Sequence, residues 1–212
     1  KEFPKLWKKP FTRLGSHALV VLLVAVVGWI GILQASAKDR GEKRVSVDEK
    51  LRAHYTGSLY PVEVDPSWPL WGNLEAKVVI IEFSDFECPH CRVAAFNIRP
   101  YLAEFRDEVQ FRFVNYPLDQ SCNAGMTREL HHNACLAAKA AICSQKEGKF
   151  WEFHDELFRN QEKLERDTIF ALVKKYGWAE EQFSACLESE ETASRVASDI
   201  AHANRLSINE GL

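Results

Sequence analysis

The distribution of apolar residues divides the 212-residue chain into an apolar segment near its beginning and a larger domain of mixed composition. Residues 14–37 contain no Asp, Glu, Lys or Arg, and residues 18–33 are apolar throughout. A helix of this length, at about 1.5 Å per residue, crosses roughly 30 Å of hydrocarbon. The basic flank of residues 1–13 favours a cytoplasmic start, so the pattern predicts a single transmembrane anchor followed by an exported domain.

The same segment has two other interpretations. Ala35-Ser36-Ala37 fits the A-x-A pattern of a signal-peptidase site, and cleavage after Ala37 would leave a soluble periplasmic protein. A buried helix of a soluble protein is the third interpretation. We favour the retained anchor at the cell membrane, and both exported alternatives place the following domain in the periplasm or another extracytoplasmic space.

The segment of residues 38–59 begins with a polar and charged stretch, which predicts a linker before the main domain. We expect that domain to begin at about residue 60. Ser46 followed by Glu49 is a capping-box pattern, which predicts a short helix ending near His54. A solvated linker in which this spacing arises by chance explains the pattern nearly as well. A proline-containing, extended approach should then lead into the domain.

Two apolar runs predict β-strands with a helix between them. Residues 78–83 are too uniformly apolar for a half-exposed strand and predict a central strand covered on both faces, whereas residues 109–114 alternate and predict a second strand. Apolar residues between the runs recur at helical spacing, and Pro100 should kink that helix. Its apolar face is expected to contain Ala94, Ala95, Ile98, Leu102 and Phe105. Strand, helix and strand together predict a parallel pair with a right-handed crossover, and therefore an α/β fold.

The rest of the domain, from about residue 133 to residue 206, shows only helical periods. Their apolar positions are Leu136, Ala140 and Cys143, then Phe150, Phe153, Leu157 and Phe158, then residues 168–176, and finally Val196, Ile200 and Ala203. We interpret the aromatic run of residues 150–158 as core packing, and His154 as a packed or capping histidine of its helix.

The candidate chemistry lies in Cys88-Pro89-His90-Cys91, between the first predicted strand and its helix. Two cysteines separated by two residues at such a junction form a redox motif of the thioredoxin type. If Cys88 caps the helix, free backbone N–H groups and the helix dipole stabilise its thiolate. Pro89 then occupies the first helical position, where no N–H is needed, and His90 adds a donor and a positive charge when protonated.

Residues 82–91 resemble the active-site segment of the DsbA family of thioredoxin-fold oxidoreductases. The Pro-His dipeptide is the one found in DsbA itself, and Glu82 matches the family's buried acid beneath the active site. Residues 148–158 are similar to the helical-insert signature of DsbA-like domains. The resemblance covers about residues 60–208 and implies a thioredoxin-like fold whose helical insertion spans about residues 118–206.

The resemblance also implies a function. It is that of an exported protein-disulfide oxidoreductase that forms disulfides in client proteins with free thiols, with Cys88 and Cys91 as the redox pair. Glu82, if buried, would move the Cys91 proton. No cofactor beyond the Cys88–Cys91 disulfide is expected. A membrane partner, quinone-linked or of the vitamin K epoxide reductase type, would reoxidise the pair.

The sequence departs from the family pattern at its end. Thioredoxin folds continue with a cis-proline loop that faces the two cysteines, followed by two strands and a helix. The last proline of this sequence is Pro117, and residues 208–212 stand about where that loop should begin. We therefore expect residues 60–212 to form a DsbA-like domain that is incomplete at its C-terminal side.

Four further cysteines, with three possible pairings, suggest structural disulfides in an exported domain. Cys122 and Cys135 flank a polar loop that a disulfide would close. Together with His131 and His132 they are also metal-ligand types, although their spacing matches no common zinc pattern. The other two, Cys143 and Cys186, are interpreted as buried thiols or as partners of one another.

Charge limits the possible partners of the domain. The net charge is −3, of which residues 1–13 contribute +4, so the remainder carries −7. This acidity argues against nucleic acid as a partner of the folded part. Two alternative functions remain open: a disulfide reductase or isomerase using the same pair, and a non-catalytic binding module stabilised by disulfides or metal.

Overall fold

The computed structural model describes residues 28–34, 49, 52 and 61–206. The chain divides into two compact units, Lys1–Pro61 and Val62–Leu212, and the functional residues lie in the second. Residues 28–34, 49 and 52 are helical, and the rest of the predicted anchor over residues 14–37 and of the short helix near His54 lies outside the described residues. Among the described residues, no helix has both the length and the apolar character that crossing a bilayer requires.

The described part of the second unit contains a three-stranded sheet in the order β1-β3-β2. Strand β1 spans Leu70–Gly72, β2 spans Val78–Ser84, and β3 spans Val109–Asn115. Strand β2 runs parallel to β3, in a register that places Ser84 opposite Asn115. The parallel pair predicted from the two apolar runs is therefore confirmed. Strand β1 pairs with β3 in the antiparallel direction and was not predicted.

In the described sheet, β2 does not have the central position, covered on both faces, that its apolar run predicts. Strand β3 is the central strand of the described sheet and is buried along its whole length, whereas β2 lies at an edge. Val78 and Val79 at the start of β2 are 55% and 40% exposed. A uniformly apolar run indicates a tendency toward burial, but it does not determine how many neighbouring strands are present.

Helix α1, Pro89–Leu102, connects β2 to β3 and continues into a 3-10 turn at Ala103–Phe105. In the described residues after β3, five further α-helices follow: α2 (Ala134–Lys146), α3 (Phe150–Arg159), α4 (Arg166–Lys175), α5 (Glu180–Glu188) and α6 (Glu190–Arg205). The predicted helical block after the second strand of the pair is therefore present, with α5 as an additional helix.

Helix α2 lies at the centre of this helical block and contacts α3, α5 and α6. Its small residues, including Ala137, Ala140 and Ala141, are fully buried, which allows the neighbouring helices to approach closely. An aromatic core beside it contains Phe86, Phe113, Phe150, Phe153 and Phe158. The apolar face predicted for α1 is only partly buried: Ala95 is buried, whereas Ile98 and Phe105 are exposed.

Two disulfides connect parts of the helical region. Cys122 is bonded to Cys135, which closes a loop before α2, and Cys143 of α2 is bonded to Cys186 of α5. The first bond occupies both sulfurs that the metal interpretation required as thiolates. Within the part of the chain that the structure describes, no cluster of three or more His, Cys, Asp or Glu residues is arranged to hold a metal ion.

Candidate active site

The two cysteines outside the disulfides lie at the carboxyl end of β2, where the chain turns into α1. Cys88 is the N-cap of α1 with extended backbone angles, and Pro89 occupies the first helical turn, as the sequence predicts. Cys88 and Cys91 are both thiols and partly buried, whereas Pro89 and His90 are exposed. This arrangement places one sulfur at the free N–H groups of a helix, where a negative charge is stabilised.

The turn between β2 and α1 is held by hydrogen bonds from two other parts of the chain, the segment after β3 and the helical block. Asp85 accepts from the backbone N–H of Glu87 at 2.6 Å and from that of Leu118 at 2.6 Å. The side-chain amide of Gln161, from the helical block, donates to the carbonyls of Phe86 and Cys88 at 2.7 and 2.8 Å. Because these contacts fix the backbone on both sides of Cys88, its sulfur has a defined position before any substrate binds.

The environment of Cys88 favours the thiolate. A hydrogen bond from the Cys91 thiol, followed by the backbone N–H groups of Cys91 and His90, lowers the pKa of Cys88 to about 5. Partial burial and the negative charge of Asp85 act in the opposite direction. The pKa of Cys91 is raised, because its proton is held by Cys88 and because the thiol is partly buried. In the reduced pair, these contacts favour ionisation of Cys88, whereas Cys91 keeps its proton.

Glu82, the predicted buried acid, lies on β2 two residues before Ser84, so both side chains point to the same face of the strand. Burial raises the pKa of Glu82, and among the described residues its Oε1 has no hydrogen-bond partner. The Ser84 hydroxyl, also buried, lowers the pKa of both Glu82 and Cys91 without a hydrogen bond of normal geometry to either. Ser84 therefore acts on both the acid and the second cysteine, a role that no local sequence pattern indicates.

The disulfide-closed loop contributes a histidine to the active-site turn. His131 Nδ1 lies 2.8 Å from Asp85 Oδ2, and the backbone N–H of Asn133 donates to Glu87 Oε2 at 2.8 Å. The hydrogen bond to Asp85 raises the pKa of His131. From its sequence, His131 is interpreted only as a metal-ligand type, because nothing in its local pattern connects it with a turn 46 residues earlier. His132, its neighbour, is exposed and bonded to Glu129.

His154 is fully buried within the aromatic core, which confirms its interpretation as a packed histidine. Burial lowers its pKa to about 4, so the ring is neutral near pH 7. Its Nδ1 lies 2.9 Å from Asp155, which is also paired with Arg99 of α1. The set of His154, Asp155 and Arg99 joins α3 to α1, and it has no contact with Cys88 among those that the structure describes.

One group of matches is to thioredoxin-like and disulfide-forming proteins. A family model described as Thioredoxin matches residues 65–211. The chain is 32% identical over 147 residues to a probable disulfide bond formation protein D of Bacillus cereus, covering 65% of this chain and 64% of that protein. It is 26% identical to the oxidised crystal structure of BdbD from Bacillus subtilis, with a TM-score of 0.56, covering 72% of this chain and 82% of the other.

A second kind of relative is a Na(+)/H(+) antiporter NhaA 3 of Salinispora tropica, which is 30% identical over 198 residues. The match includes 91% of this chain but only 28% of the antiporter. The chain therefore spans about a quarter of the length of the antiporter relatives that it matches, and somewhat less than two thirds of the disulfide bond formation protein.

Proposed function

The chain belongs to the thioredoxin family as a DsbA-like thiol–disulfide oxidoreductase, and we propose that it forms disulfides in exported client proteins through Cys88 and Cys91. One observation carries the direction of the reaction. The hydrogen bond from the Cys91 thiol, together with the backbone N–H groups at the start of α1, lowers the pKa of Cys88 to about 5, well below the pKa of an ordinary thiol. A stabilised thiolate favours the reduced pair and makes the disulfide form a stronger oxidant.

The reaction begins with the Cys88–Cys91 disulfide. A client thiolate attacks the sulfur of Cys88, a mixed disulfide forms, and Cys91 leaves and takes up a proton. A second client thiolate then attacks the client sulfur of the mixed disulfide, and Cys88 leaves as a thiolate. The client loses two electrons and gains one disulfide, and the enzyme gains the two electrons as a thiolate and a thiol.

The low pKa of Cys88 assists the second step, because a thiol of lower pKa is the better leaving group. Glu82 lies on the same face of β2 as Ser84, which acts on both Glu82 and Cys91, and the raised pKa of Glu82 allows its carboxyl to hold a proton in a buried position. We assign Glu82 the role of moving the Cys91 proton when the disulfide opens or closes, with the Ser84 hydroxyl as the group that connects them.

Each turnover leaves a dithiol that must be reoxidised by a two-electron acceptor. A membrane redox partner, quinone-linked or of the vitamin K epoxide reductase type, is the acceptor that we propose, and the client proteins are exported chains with free thiols. Cys88 is only partly buried and lies beside the exposed Pro89 and His90, where we expect both the client and the membrane partner to reach its sulfur. A reductase or isomerase using the same pair is the alternative within this chemistry.

We also propose that residues 14–37 attach the domain to the membrane and place it outside the cytoplasm, with cleavage after Ala37 as the soluble alternative. Two observations support this placement: the 24-residue charge-free segment and its basic flank. The antiporter match covers 91% of the chain, and it therefore extends into this segment. In that relative, the matching sequence belongs to the same chain as a Na(+)/H(+) antiporter.

The experiment that tests the direction uses the full chain and its equilibrium with glutathione. In buffers that contain both reduced (GSH) and oxidised (GSSG) glutathione, an oxidase should be half-oxidised at a much lower ratio of the squared GSH concentration to the GSSG concentration than a reductase, so it stays reduced in buffers that oxidise a reductase. The Cys88→Ser and Cys91→Ser variants are the controls, since neither can form the disulfide. An equilibrium as reducing as that of thioredoxin would contradict the oxidase assignment and favour the reductase alternative.

A further inference from the structure

His131 connects the disulfide-closed loop to the active-site turn through a buried carboxylate. Its Nδ1 lies 2.8 Å from Asp85 Oδ2, and the two side chains are 19% and 2% exposed. The backbone N–H of His131 donates to the carbonyl of Leu118 at 3.2 Å. The adjacent contact from Asn133 to Glu87 holds the same loop against the same turn. The position of the imidazole is therefore fixed by backbone as well as side-chain contacts.

Asp85 creates an electrostatic conflict that His131 can relieve. Its carboxylate organises the turn by accepting two backbone N–H groups, but its negative charge acts against the thiolate of Cys88. Within the described part of the chain, His131 is the cationic side chain paired with Asp85. The other charged groups that act on His131 are Glu87 and Cys88, and both are negative when ionised.

We propose that His131 is a positioning residue which, when protonated, neutralises Asp85 and so stabilises the thiolate of Cys88 from outside the four-residue motif. This inference rests on the proposed function only in taking Cys88 as the nucleophile. It assigns the disulfide-closed loop a role in the chemistry, in addition to its role in the fold. It also makes the redox balance of the pair depend on a group that titrates near neutral pH.

The sign of the pH dependence follows from the contacts of His131. Its hydrogen bond to Asp85 and the nearby negative charges raise its pKa above the ordinary value of 6.5, although partial burial opposes this. Its positive charge is therefore present at and below 6.5 and is lost as pH rises through the raised pKa. Since the Cys88 thiolate is one of those charges, the pKa of His131 must be higher in the reduced protein than in the oxidised protein.

The first test compares His131→Asn with His132→Gln in the full chain. Asn can still contact Asp85 but carries no charge, and His132 is an exposed residue of the same loop, 74% exposed and bonded to Glu129. We expect H131N to raise the pKa of Cys88 by about 0.5–1 unit, measured by thiolate absorbance. The glutathione equilibrium should move about three- to tenfold toward the disulfide form, and H132Q should leave both quantities unchanged.

The second test is independent of any effect of the substitution on folding. The titration of His131 is followed by NMR in the oxidised and reduced wild-type protein, with H131N identifying its resonance. A higher pKa of His131 in the reduced form supports the inference, and equal values overturn it. Equal Cys88 pKa values in H131N and H132Q also overturn it, whereas a wild-type Cys88 pKa near 9 would instead contradict the proposed function.

Discussion

The stability of the reduced protein should depend on pH through Cys88, and replacement of Cys88 by Ser should abolish that dependence. An ordinary cysteine thiol has a pKa of 9.0, whereas the pKa of Cys88 in the folded chain is about 5. At pH 7, which is two units above a pKa of 5, ionisation of Cys88 stabilises the folded state by roughly 2.7 kcal/mol relative to the unfolded chain. Because Cys88 is only partly buried, solvent screening reduces our expectation to about 1–2 kcal/mol.

The sign of this contribution follows from proton binding. Between the two pKa values, the unfolded chain holds a proton on Cys88 that the folded chain has released, so stability rises with pH. The contribution is fully present above 9.0 and is lost as pH falls through about 5. The raised pKa of Cys91 adds nothing at pH 7, because that thiol is protonated in both states.

The assay is denaturant unfolding of the reduced wild-type chain and of C88S at several pH values between 5 and 9. Subtracting the C88S free energy of unfolding removes most of the contribution of the titrating groups that do not interact with Cys88, whereas the contribution of His131, which interacts with the Cys88 thiolate, stays in the difference. We expect the difference to increase by about 0.5–1 kcal/mol per pH unit across this window. A difference that stays constant from pH 5 to pH 9 would refute the argument that the folded environment stabilises the Cys88 thiolate.

Three further predictions concern residues around the site. Glu82→Gln should increase the free energy of unfolding at pH 7 by about 1 kcal/mol, because a buried group that can carry a negative charge is replaced by a neutral amide of similar shape, and it should slow reoxidation of the reduced pair in stopped-flow assays. Replacing Cys143 and Cys186 by Ala should lower the free energy of unfolding by about 4 kcal/mol in the chain-entropy estimate, measured with denaturant. If residues 14–37 anchor an exported domain, a membrane-impermeant thiol reagent should label reduced Cys88 on intact cells, and labelling only after lysis would contradict that orientation.

The parts of the fold that local sequence determines were predictable. Cys88 as an N-cap with Pro89 in the first helical turn follows from backbone geometry, and the structure has this arrangement. The parallel pair of β2 and β3 follows from two apolar runs separated by one helix. In each case the controlling interactions lie within a short stretch of chain, so composition and spacing are enough to indicate them.

The parts that depend on distant contacts were not predictable. Strand β1 has three residues, and its extended conformation depends on antiparallel pairing with β3, about 40 residues later in the chain. The edge position of β2 depends on which strands are its neighbours, which its own apolar pattern does not encode. Likewise, His131 reaches Asp85 only because the loop before α2 folds back onto the active-site turn.

The central claim is that the Cys88–Cys91 disulfide oxidises client thiols, and direct transfer of that disulfide tests it most directly. Stoichiometric oxidised full-length protein is mixed with a reduced, unfolded model protein containing two cysteines, and the disulfide of each partner is measured over time. We predict rapid loss of the enzyme disulfide with matching formation of the client disulfide, no transfer by C88S, and a trapped mixed disulfide when C91S is treated with an oxidant in the presence of the client. If the oxidised protein keeps its disulfide while the client remains reduced, the account is contradicted.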